Sequence, residues 1–427
     1  MKIAVLNGSP KGNYSITLQS SLYLAKLYKE DTFEVMNVGS KIKSLEKDIT
    51  PLKTLLERSD MVLFSYPVYT FIAPYQMHRT IELIKESGVD LHGKYAAQIT
   101  TSKHFYDMTA HEYIKENALD MGMKYIGGLS ADMEDLLTEK GQKELKSFWE
   151  YTQFQCGERE MGKPSKAYDI VIVTNSHNDP ALDQIIEEFR SVCPAPTRIV
   201  NIADFPFIGG CLGCFHCAGD GECIYKDHFG DFLREHVLNA DAIVYAYALK
   251  DHSMGASFKQ YDDRQFCNGH RMMSIGMPVA YLVNGNLQGE YNLQTIMYAR
   301  SEVGQNMLCG ILDNHCPETF SAELQQLADR LIFSLNHHTL LPQNFYGVGG
   351  TKIFRDLIYL MRGLMVADHK FYKKHGIYDD FPQKHWGKMW KMKLIGFLAN
   401  NKKIRAKMGN KMNEGMIAPY KKLIERL

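Results

Sequence analysis

Four cysteines lie close together in the stretch "CLGCFHCAGDGEC": Cys211, Cys214, Cys217 and Cys223, with the spacing C-x2-C-x2-C-x5-C. Such a run can hold a metal centre, act as a set of redox thiols, or have lost its chemistry. Cubane iron–sulfur clusters use compact cysteine runs, whereas structural zinc more often uses two well-separated C-x2-C pairs. The spacing favours a 4Fe–4S cluster with these four ligands, and zinc or no metal stay open as alternatives.

A second candidate site is the polar loop "LNGSPKGNYSIT", Leu6–Thr17, which follows an apolar run and precedes a helical pattern. Gly8 allows a tight turn, and Ser9, Asn13 and Ser15 offer polar side chains. Free backbone N–H groups at the helix start complete a cradle for phosphate. The loop is neither a Walker loop nor a G-x-G-x-x-G loop. The alternative is a polar turn with a helix N-cap.

Two similar halves supply the elements that must position these residues. "KIAVLNGSP" and "DIVIVTNSH" each open a half, and later landmarks recur at offsets of 181 to 183 residues. The halves align with one insertion of about fourteen residues in the second half, in the region of the cysteines. Continuous apolar strands that alternate with amphipathic helices predict parallel sheets covered on both faces. We predict an α/β protein made by tandem duplication, with doubly wound domains at residues 1–155 and 168–338.

The loops of the first half resemble a known family. "GSPKGNYSIT" is similar to the phosphate loop of the NAD(P)H-dependent FMN reductases, a flavodoxin-like superfamily, and "PVYTFIAP" from Pro67 is similar to that family's second loop. His78 stands where the family usually has lysine, and Glu82 where it has aspartate. "TTSKHFYD", from Thr100, would be the third loop, closing over the flavin ring.

This resemblance implies FMN as cofactor and NAD(P)H as co-substrate, and it implies no catalytic side chain, since the cofactor performs the chemistry. The residues that the resemblance places at the FMN are Ser9, Lys11, Asn13, Ser15, Ile16, Thr17, Pro67, Val68, Tyr69, Thr70, Phe71, Thr101 and Ser102.

The cysteine run resembles that of the iron–sulfur flavoproteins, which carry a 4Fe–4S cluster beside FMN. Their Asp-Asp-Met after the last cysteine is replaced here by Asp227-His228-Phe229. In the second half the phosphate loop has become "TNSHNDPALD", in which Asp179 would place negative charge beside a phosphate. "SMGASFKQYDDR" keeps the family's K-x3-D-R signature in Lys259, Asp263 and Arg264. We therefore expect a degenerate second domain with no tightly bound FMN phosphate.

The α/β pattern stops near residue 340, and we predict a basic helical C-terminal extension at 339–427. From Thr351 to the end the chain has eighteen Lys or Arg against six Asp or Glu, although its overall formal charge is zero. Three interpretations stay open: a helical segment that packs on the protein body or on a second subunit, a membrane-surface anchor with Trp386 and Trp390 at the interface, or a docking surface for a redox partner.

Composition bounds the remaining possibilities. The apolar content of 45% is that of a globular protein, and the N-terminus begins directly with a strand pattern that has no signal-peptide character. No apolar window is long enough for a spanning helix. We therefore expect a cytoplasmic protein whose five scattered cysteines are ordinary apolar residues. No nucleic-acid-binding motif is present.

Together these patterns predict an FMN-dependent NAD(P)H oxidoreductase that passes electrons, with or without a 4Fe–4S cluster, to a small-molecule or protein acceptor. The alternative is a flavin-binding electron-transfer protein without direct NAD(P)H activity. A reductase of one specific small molecule, such as a quinone or nitro compound, is a further possibility. From the superfamily we expect a homo-oligomer.

Overall fold

The computed structural model describes residues 1–382, 385–399 and 411–427, and the chain divides into two compact units. The first domain comprises Met1–Arg159, Leu341–Phe345 and Asp380–Leu427, and the second comprises Glu160–Leu340 and Tyr346–Asp379. The C-terminal region is therefore shared between the two domains. The finer domain boundaries expected from the sequence stay predictions.

The first domain is built on a five-stranded parallel sheet. Its strands are Lys2–Asn7 (β1), Thr32–Met36 (β2), Met61–Pro67 (β3), Tyr95–Ser102 (β4) and Lys124–Asp132 (β5). Their order is β2-β1-β3-β4-β5, the doubly wound order of flavodoxin-like folds. The central strands read as continuous apolar runs because both faces of the sheet are covered.

Six helices connect these strands and follow the last one. They are Ile16–Leu27 (α1), Ile42–Leu45 (α2), Thr50–Glu57 (α3), Tyr75–Ser87 (α4), Asp107–Asp120 (α5) and Glu139–Gln155 (α6). Side chains of β1 alternate between two hydrophobic cores: Ala4 and Leu6 lie in the core with α3 and α4, while Ile3 and Val5 lie in the core with α1 and α6. This alternation is what a sheet with helices on both faces requires.

The second domain repeats this architecture. Its strands are Ile170–Thr174 (β6), Thr197–Asn201 (β7), Ala242–Ala248 (β8), Pro278–Asn284 (β9) and Met307–Asp313 (β10). Its helices up to residue 337 are Pro180–Val192 (α7), Cys217–Asp220 (α8), Phe229–Leu233 (α9), Gly255–Arg264 (α10), Tyr291–Val303 (α11) and Pro317–His337 (α12). The order β7-β6-β8-β9-β10 is the order of the first sheet. The predicted fold class is confirmed, and a duplication as its origin stays a prediction.

The C-terminal region is helical in its described parts. Its helices are Phe345–Leu360 (α13), Val366–Lys374 (α14), Trp386–Ala399 (α15) and Lys411–Glu425 (α16). In α16, Ile417 and Tyr420 are buried in the first-domain core that includes α1 and α6, and the Tyr420 hydroxyl donates to the carbonyl of Met133 at 2.5 Å. This last helix therefore completes one face of the first domain.

The membrane-anchor interpretation concerns the stretch around α15. Trp386 and Trp390 are exposed there, and basic residues within 400–410 lie outside the described part of the chain. Across the described residues, every helix falls short of the length and apolarity needed to cross a bilayer.

Candidate active site

Three loops of the first domain meet at the carboxyl edge of its sheet, because β1, β3 and β4 are parallel neighbours. The N–H of Val68, directly after Pro67 at the end of β3, donates to the carbonyl of Thr101 at 3.1 Å. The hydroxyl of Thr17, from the first turn of α1, lies 2.5 Å from that of Thr101. The structure thus brings together the loops that the sequence predicted to act as one site.

The first of these loops has the geometry of an anion cradle. The hydroxyl of buried Ser9 accepts from the N–H of Lys11 at 3.3 Å, which sets the turn. The Ser15 hydroxyl caps α1 by accepting the N–H three residues on, also at 3.3 Å. Helix α1 therefore begins at Ile16, and the N–H groups of Ile16 and Thr17 belong to a first turn that has no intrahelical acceptor for them. Such groups and the positive end of the helix dipole favour a phosphate.

A network of amides holds this loop against the end of β2. The Asn7 side chain donates to the Asn37 oxygen at 2.7 Å and to the Gly12 carbonyl at 2.9 Å. Asn37 in turn donates to Asn13 Oδ1 at 2.7 Å, so the predicted ligand-binding Asn13 also has a structural role. A Cβ atom on Gly39 would lie 2.4 Å from two carbonyl oxygens of the cradle, so only glycine fits there.

The second loop turns sharply at its tip. The N–H groups of Tyr69 and Ile72 each donate to the other's carbonyl, at 2.8 and 3.2 Å. The two residues between them, Thr70 and Phe71, have φ angles of 48° and 74°. A left-handed conformation is costly for these side chains, and such strain tends to occur at functional sites. The turn leaves the rings of Tyr69 and Phe71 exposed.

A fully buried carboxylate, Asp107, organises the third loop. Its Oδ2 lies 2.9 Å from His104 Nδ1 and accepts the Ser130 hydroxyl, while its Oδ1 accepts the N–H of Phe345 at 2.8 Å. Burial favours the neutral acid, but hydrogen bonds from His104 and Ser130 outweigh it and hold the pKa of Asp107 below its ordinary value. An ionised Asp107 therefore ties the loop to β5 and to the backbone of Phe345.

Aromatic rings form a half-exposed patch over this anchor. His104, whose N–H donates to the Ser102 hydroxyl at 2.8 Å, and Tyr106 both have left-handed φ angles, and Phe105 lies between them. Tyr106 stacks on Phe345 with ring centroids 4.3 Å apart, and Phe105 lies 5.2 Å from Phe71 of the second loop. The patch offers flat, apolar surface at the carboxyl edge of the sheet.

The sequence did not single out the residues of this anchor. The pattern His-x-x-Asp in "KHFYD" was a local signal for His104 and Asp107, because it lies in a loop already assigned to the site. Ser130 and Phe345 carried no such signal, since their roles depend on contacts with residues far away in the sequence.

The four cysteines line one cavity of the second domain, of about 320 Å³. Cys211 and Cys214 are exposed, whereas Cys217 and Cys223 are partly buried. Burial raises the pKa of Cys217, whose thiol donates to the Phe266 carbonyl at 3.1 Å. Within the described ranges, no three His, Cys, Asp or Glu side chains are placed to hold a metal ion. This arrangement does not fit a metal centre, and the predicted cluster is not supported.

Arg264, taken from the sequence as part of a family signature, clamps both ends of the cysteine segment. It is 1% exposed, and it donates to the two carboxylate oxygens of Asp227 at 2.7 and 2.8 Å and to the Gly209 carbonyl at 2.8 Å. Burial raises the pKa of Asp227, but the bonds from Arg264 hold it below its ordinary value. Lys259, from the same signature, forms an ion pair with Asp263 on the helix surface. These residues therefore have structural partners.

The loop after β6 differs from its counterpart after β1. Asp179 caps α7 by accepting the N–H of Leu182 at 3.1 Å, and it also accepts from the Asn284 side chain at 3.2 Å. A carboxylate thus lies at the start of α7, whereas the corresponding helix start of the first domain, that of α1, belongs to the cradle. The absence of a bound FMN phosphate here stays a prediction, and this placement supports it.

Comparison with known proteins gives a family match in the first domain. Residues 1–134 match the family model described as NADPH-dependent FMN reductase, and no curated protein matches the chain. Similar solved structures include an NADPH-quinone reductase from P. pentosaceus, at 14% identity and a TM-score of 0.29, which covers 36% of this chain and 97% of its own. An FMN-dependent NADH-azoreductase from Bacillus anthracis, in complex with FMN, shares 16% identity over 34% of this chain and 96% of its own, at a TM-score of 0.28. A flavoenzyme NAD(P)H:acceptor oxidoreductase from Paracoccus denitrificans shares 24% identity over 29% of this chain and 74% of its own, at a TM-score of 0.26.

The matched segment contains the cradle, the tight turn and the anchored third loop, and it ends shortly after Ser130. The resemblance predicted from the loop sequences is thus confirmed for this part of the chain: residues 1–134 match the family of NADPH-dependent FMN reductases.

Proposed function

We propose that the chain is an FMN-dependent oxidoreductase that takes electrons from NAD(P)H and delivers them to a small-molecule acceptor. The observation that carries this proposal is the convergence of three loops at one sheet edge, all of them within the segment that matches the FMN reductase family. The structure has an anion cradle and an exposed aromatic surface at that edge, as a flavin mononucleotide needs.

In this proposal the cradle holds the phosphate. The N–H groups of Ile16 and Thr17 and the hydroxyl of Ser9 provide neutral donors, and the exposed ammonium of Lys11 adds positive charge. Asn13 is oriented by Asn37 and adds its amide. All of these donors come from one rigid strand–loop–helix unit, so little ordering is required when the ligand binds.

The second and third loops hold the flat ring system. Their left-handed residues leave the rings of Tyr69, Phe71 and Phe105 exposed. The ionised Asp107 holds the third loop in place through its hydrogen bonds. FMN, when bound, supplies the hydride-accepting and hydride-donating chemistry. The chain's own contribution is to bind, to orient and to keep the ring on an apolar surface.

Anaerobic reduction of the flavin tests this proposal. The full-length protein is loaded with FMN, freed of excess, and mixed with NADH or NADPH while absorbance near the flavin band is followed. Rapid bleaching that reverses on addition of a quinone, a nitro compound or an azo dye supports the oxidoreductase. Bound FMN that neither nucleotide reduces would instead identify an electron-transfer protein, and failure to bind FMN would refute both.

A matched pair of variants tests the cradle. Lys11→Gln removes an exposed cation at the loop, and Lys26→Gln removes one in the last turn of α1. We expect the first to weaken FMN binding several-fold and leave riboflavin binding unchanged, because riboflavin has no phosphate. Lys26→Gln should change neither. An equal effect of Lys11→Gln on both flavins would contradict the assignment of the phosphate site.

The 4Fe–4S cluster stays outside this proposal, as the cysteine geometry does not support it. The cluster remains a prediction from the sequence. An iron and acid-labile sulfide assay on anaerobically purified protein tests that prediction. About four irons and four sulfides per chain would confirm the prediction. Flavin with no iron would leave the cysteines as free thiols.

A further inference from the structure

Helix α15, Trp386–Ala399, has an exposed apolar surface that the proposed function does not use. Both of its tryptophans are 66% exposed, and Phe397 is 78% exposed. The described residues of this surface, which we call the α15 surface, are Trp386, Met389, Trp390, Leu394 and Phe397. Contiguous exposure of large apolar side chains marks sites of interaction with another protein or with a membrane.

The five side chains of the α15 surface follow helical spacing. Steps of three, one, four and three residues separate them, so they lie within less than half of the helix circumference. Lys393 lies on the same side, and its ammonium group is 4.9 Å from the ring centroid of Trp390. A lysine in this position can keep its ammonium at a polar boundary while its alkyl chain adds apolar surface.

The length of α15 restricts what it can do. Its fourteen residues extend about 21 Å, whereas the hydrocarbon core of a bilayer is about 30 Å thick. An apolar segment of this length is typically a buried core helix or a segment that lies at the membrane interface. Every α15 side chain that the structure describes is exposed, in contrast to Ile417 and Tyr420 of α16. The interfacial position is therefore the one that fits.

The charge of the sequence around α15 favours one kind of partner. Residues 381–413 contain nine Lys or Arg and no Asp or Glu. A second copy of the chain docked on this surface would bring like charges together, which is unfavourable. An anionic bilayer has the opposite charge and attracts such a segment.

The residue types of the α15 surface also favour a bilayer over an acidic protein. Tryptophan is enriched where lipid headgroups meet hydrocarbon, because its ring is apolar and its N–H group can stay hydrated. A protein partner would need a shaped pocket for each of the five apolar side chains, whereas fluid acyl chains accommodate all of them.

We propose that α15 docks the protein on an anionic lipid surface. The helix lies in the plane of the interface, with the α15 surface against the acyl chains and with Lys391 and Lys393 at the lipid phosphates. This docking does not depend on flavin binding by the loops of the first domain.

Co-sedimentation of the full-length protein with lipid vesicles, with any bound flavin retained, tests this inference. Vesicles of phosphatidylcholine with about 30% phosphatidylserine are compared with vesicles of phosphatidylcholine alone, at about 0.1 M salt. We expect the anionic vesicles to bind the protein at least tenfold more tightly, and higher salt to weaken this binding. No binding to anionic vesicles, or equal binding to both kinds, would overturn the proposal.

Quenching by brominated lipids shows whether α15 enters the bilayer. Bromine atoms on the acyl chains should quench the fluorescence of Trp386 and Trp390, whereas Trp149 is buried in the first domain and gives the unquenched background. Trp386→Phe combined with Trp390→Phe keeps aromatic rings at the interface, so the quenching should disappear while vesicle binding persists. Vesicle-bound wild-type protein without quenching would refute docking through α15.

Two pairs of substitutions separate the apolar and the electrostatic contributions. Trp386→Ala combined with Trp390→Ala should weaken binding to anionic vesicles at least tenfold. Lys391→Gln combined with Lys393→Gln should weaken it about three- to tenfold.

A matched control and two competing occupants complete the test. Lys43→Gln combined with Lys47→Gln removes two exposed charges elsewhere in the first domain and should leave vesicle binding unchanged. A control that weakens binding as much as the α15 lysine pair would contradict the assignment. Wild-type protein that binds polyglutamate but not vesicles would identify an acidic protein as the partner. Oligomers that the tryptophan-to-alanine pair dissociates, without vesicle binding by the wild type, would identify a second copy, and either result refutes the lipid surface.

Discussion

Replacing Asp107 with asparagine removes the charge at the centre of the third loop and keeps the size of the side chain. The carboxylate accepts from His104, Ser130 and Phe345, and it is 0% exposed. An asparagine presents one oxygen and one NH₂ group. In either orientation, therefore, its NH₂ group faces at least one of the three groups that donate to the wild-type carboxylate.

The size of the loss follows from these contacts. A hydrogen bond to a charged group contributes about 1.5–3 kcal/mol, whereas a neutral bond contributes about 1 kcal/mol. Asp107→Asn keeps at best the bonds to His104 and Ser130 in neutral form and loses that to Phe345. We expect the free energy of unfolding of the first domain to fall by about 2–4 kcal/mol at pH 7.

The same carboxylate makes this difference depend on pH. Its pKa is lower in the folded protein than in the unfolded chain, so its stabilisation is present above the ordinary aspartate pKa of about 4. The stabilisation is lost as pH falls through the folded pKa, because the proton must then be bound. The gap between wild type and Asp107→Asn should therefore be largest near neutral pH and shrink below pH 4.

Urea denaturation followed by tryptophan fluorescence measures this effect, since Trp149 is fully buried in the first domain. Ser130→Ala is the control: it removes one donor but leaves the charge and its other two partners, and should cost about half as much. An Asp107→Asn protein within 0.5 kcal/mol of wild type at pH 7, or a gap that persists unchanged at pH 3.5, refutes the reasoning.

Three further predictions concern backbone fit, the cysteine clamp and the last helix. Gly39→Ala should weaken FMN binding at least tenfold in a fluorescence titration, because the new Cβ would lie 2.4 Å from backbone oxygens of the cradle; wild-type affinity would contradict this. Arg264→Met leaves the buried carboxylate of Asp227 unpaired, so the free energy of unfolding of the second domain should fall by about 3–5 kcal/mol. The cysteines of this domain should also react faster with a thiol reagent, and unchanged thiol kinetics would count against the clamp. Ile417→Ala in α16 should destabilise the first domain by about 2–4 kcal/mol in urea; no change would mean that α16 does not complete that core.

Much of the fold could be read from local patterns. The runs at β1, β3 and β8 are continuously apolar because a parallel sheet covered on both faces buries every residue, and this pattern survives in the sequence. The cradle was also readable, because a strand end, a glycine turn and a capped helix are consecutive in the chain. The replacement of Gly-Ser-Pro by a segment that contains Asp179 similarly indicated that the loop after β6 differs from the loop after β1.

The sequence indicated less about where the C-terminal region packs. A helical extension was predicted there, but the division of its helices between the two domains was not. The amphipathic pattern of α16 does not say which core will receive Ile417 and Tyr420. That depends on the groove available beside α1, which exists only after the first sheet has folded.

The site shows the same division. Local sequence was enough to place Ser9, Ser15 and Tyr69 in loops at one edge of a sheet, because that edge follows from strand direction. Tertiary structure alone decided that Asp107 is ionised, since its pKa depends on Ser130 and on burial as well as on nearby His104. It also decided that Cys217 is a hydrogen-bonded thiol. Hydrogen bonds and burial between residues distant in the chain cannot be read from spacing, because they form only when separate elements pack together.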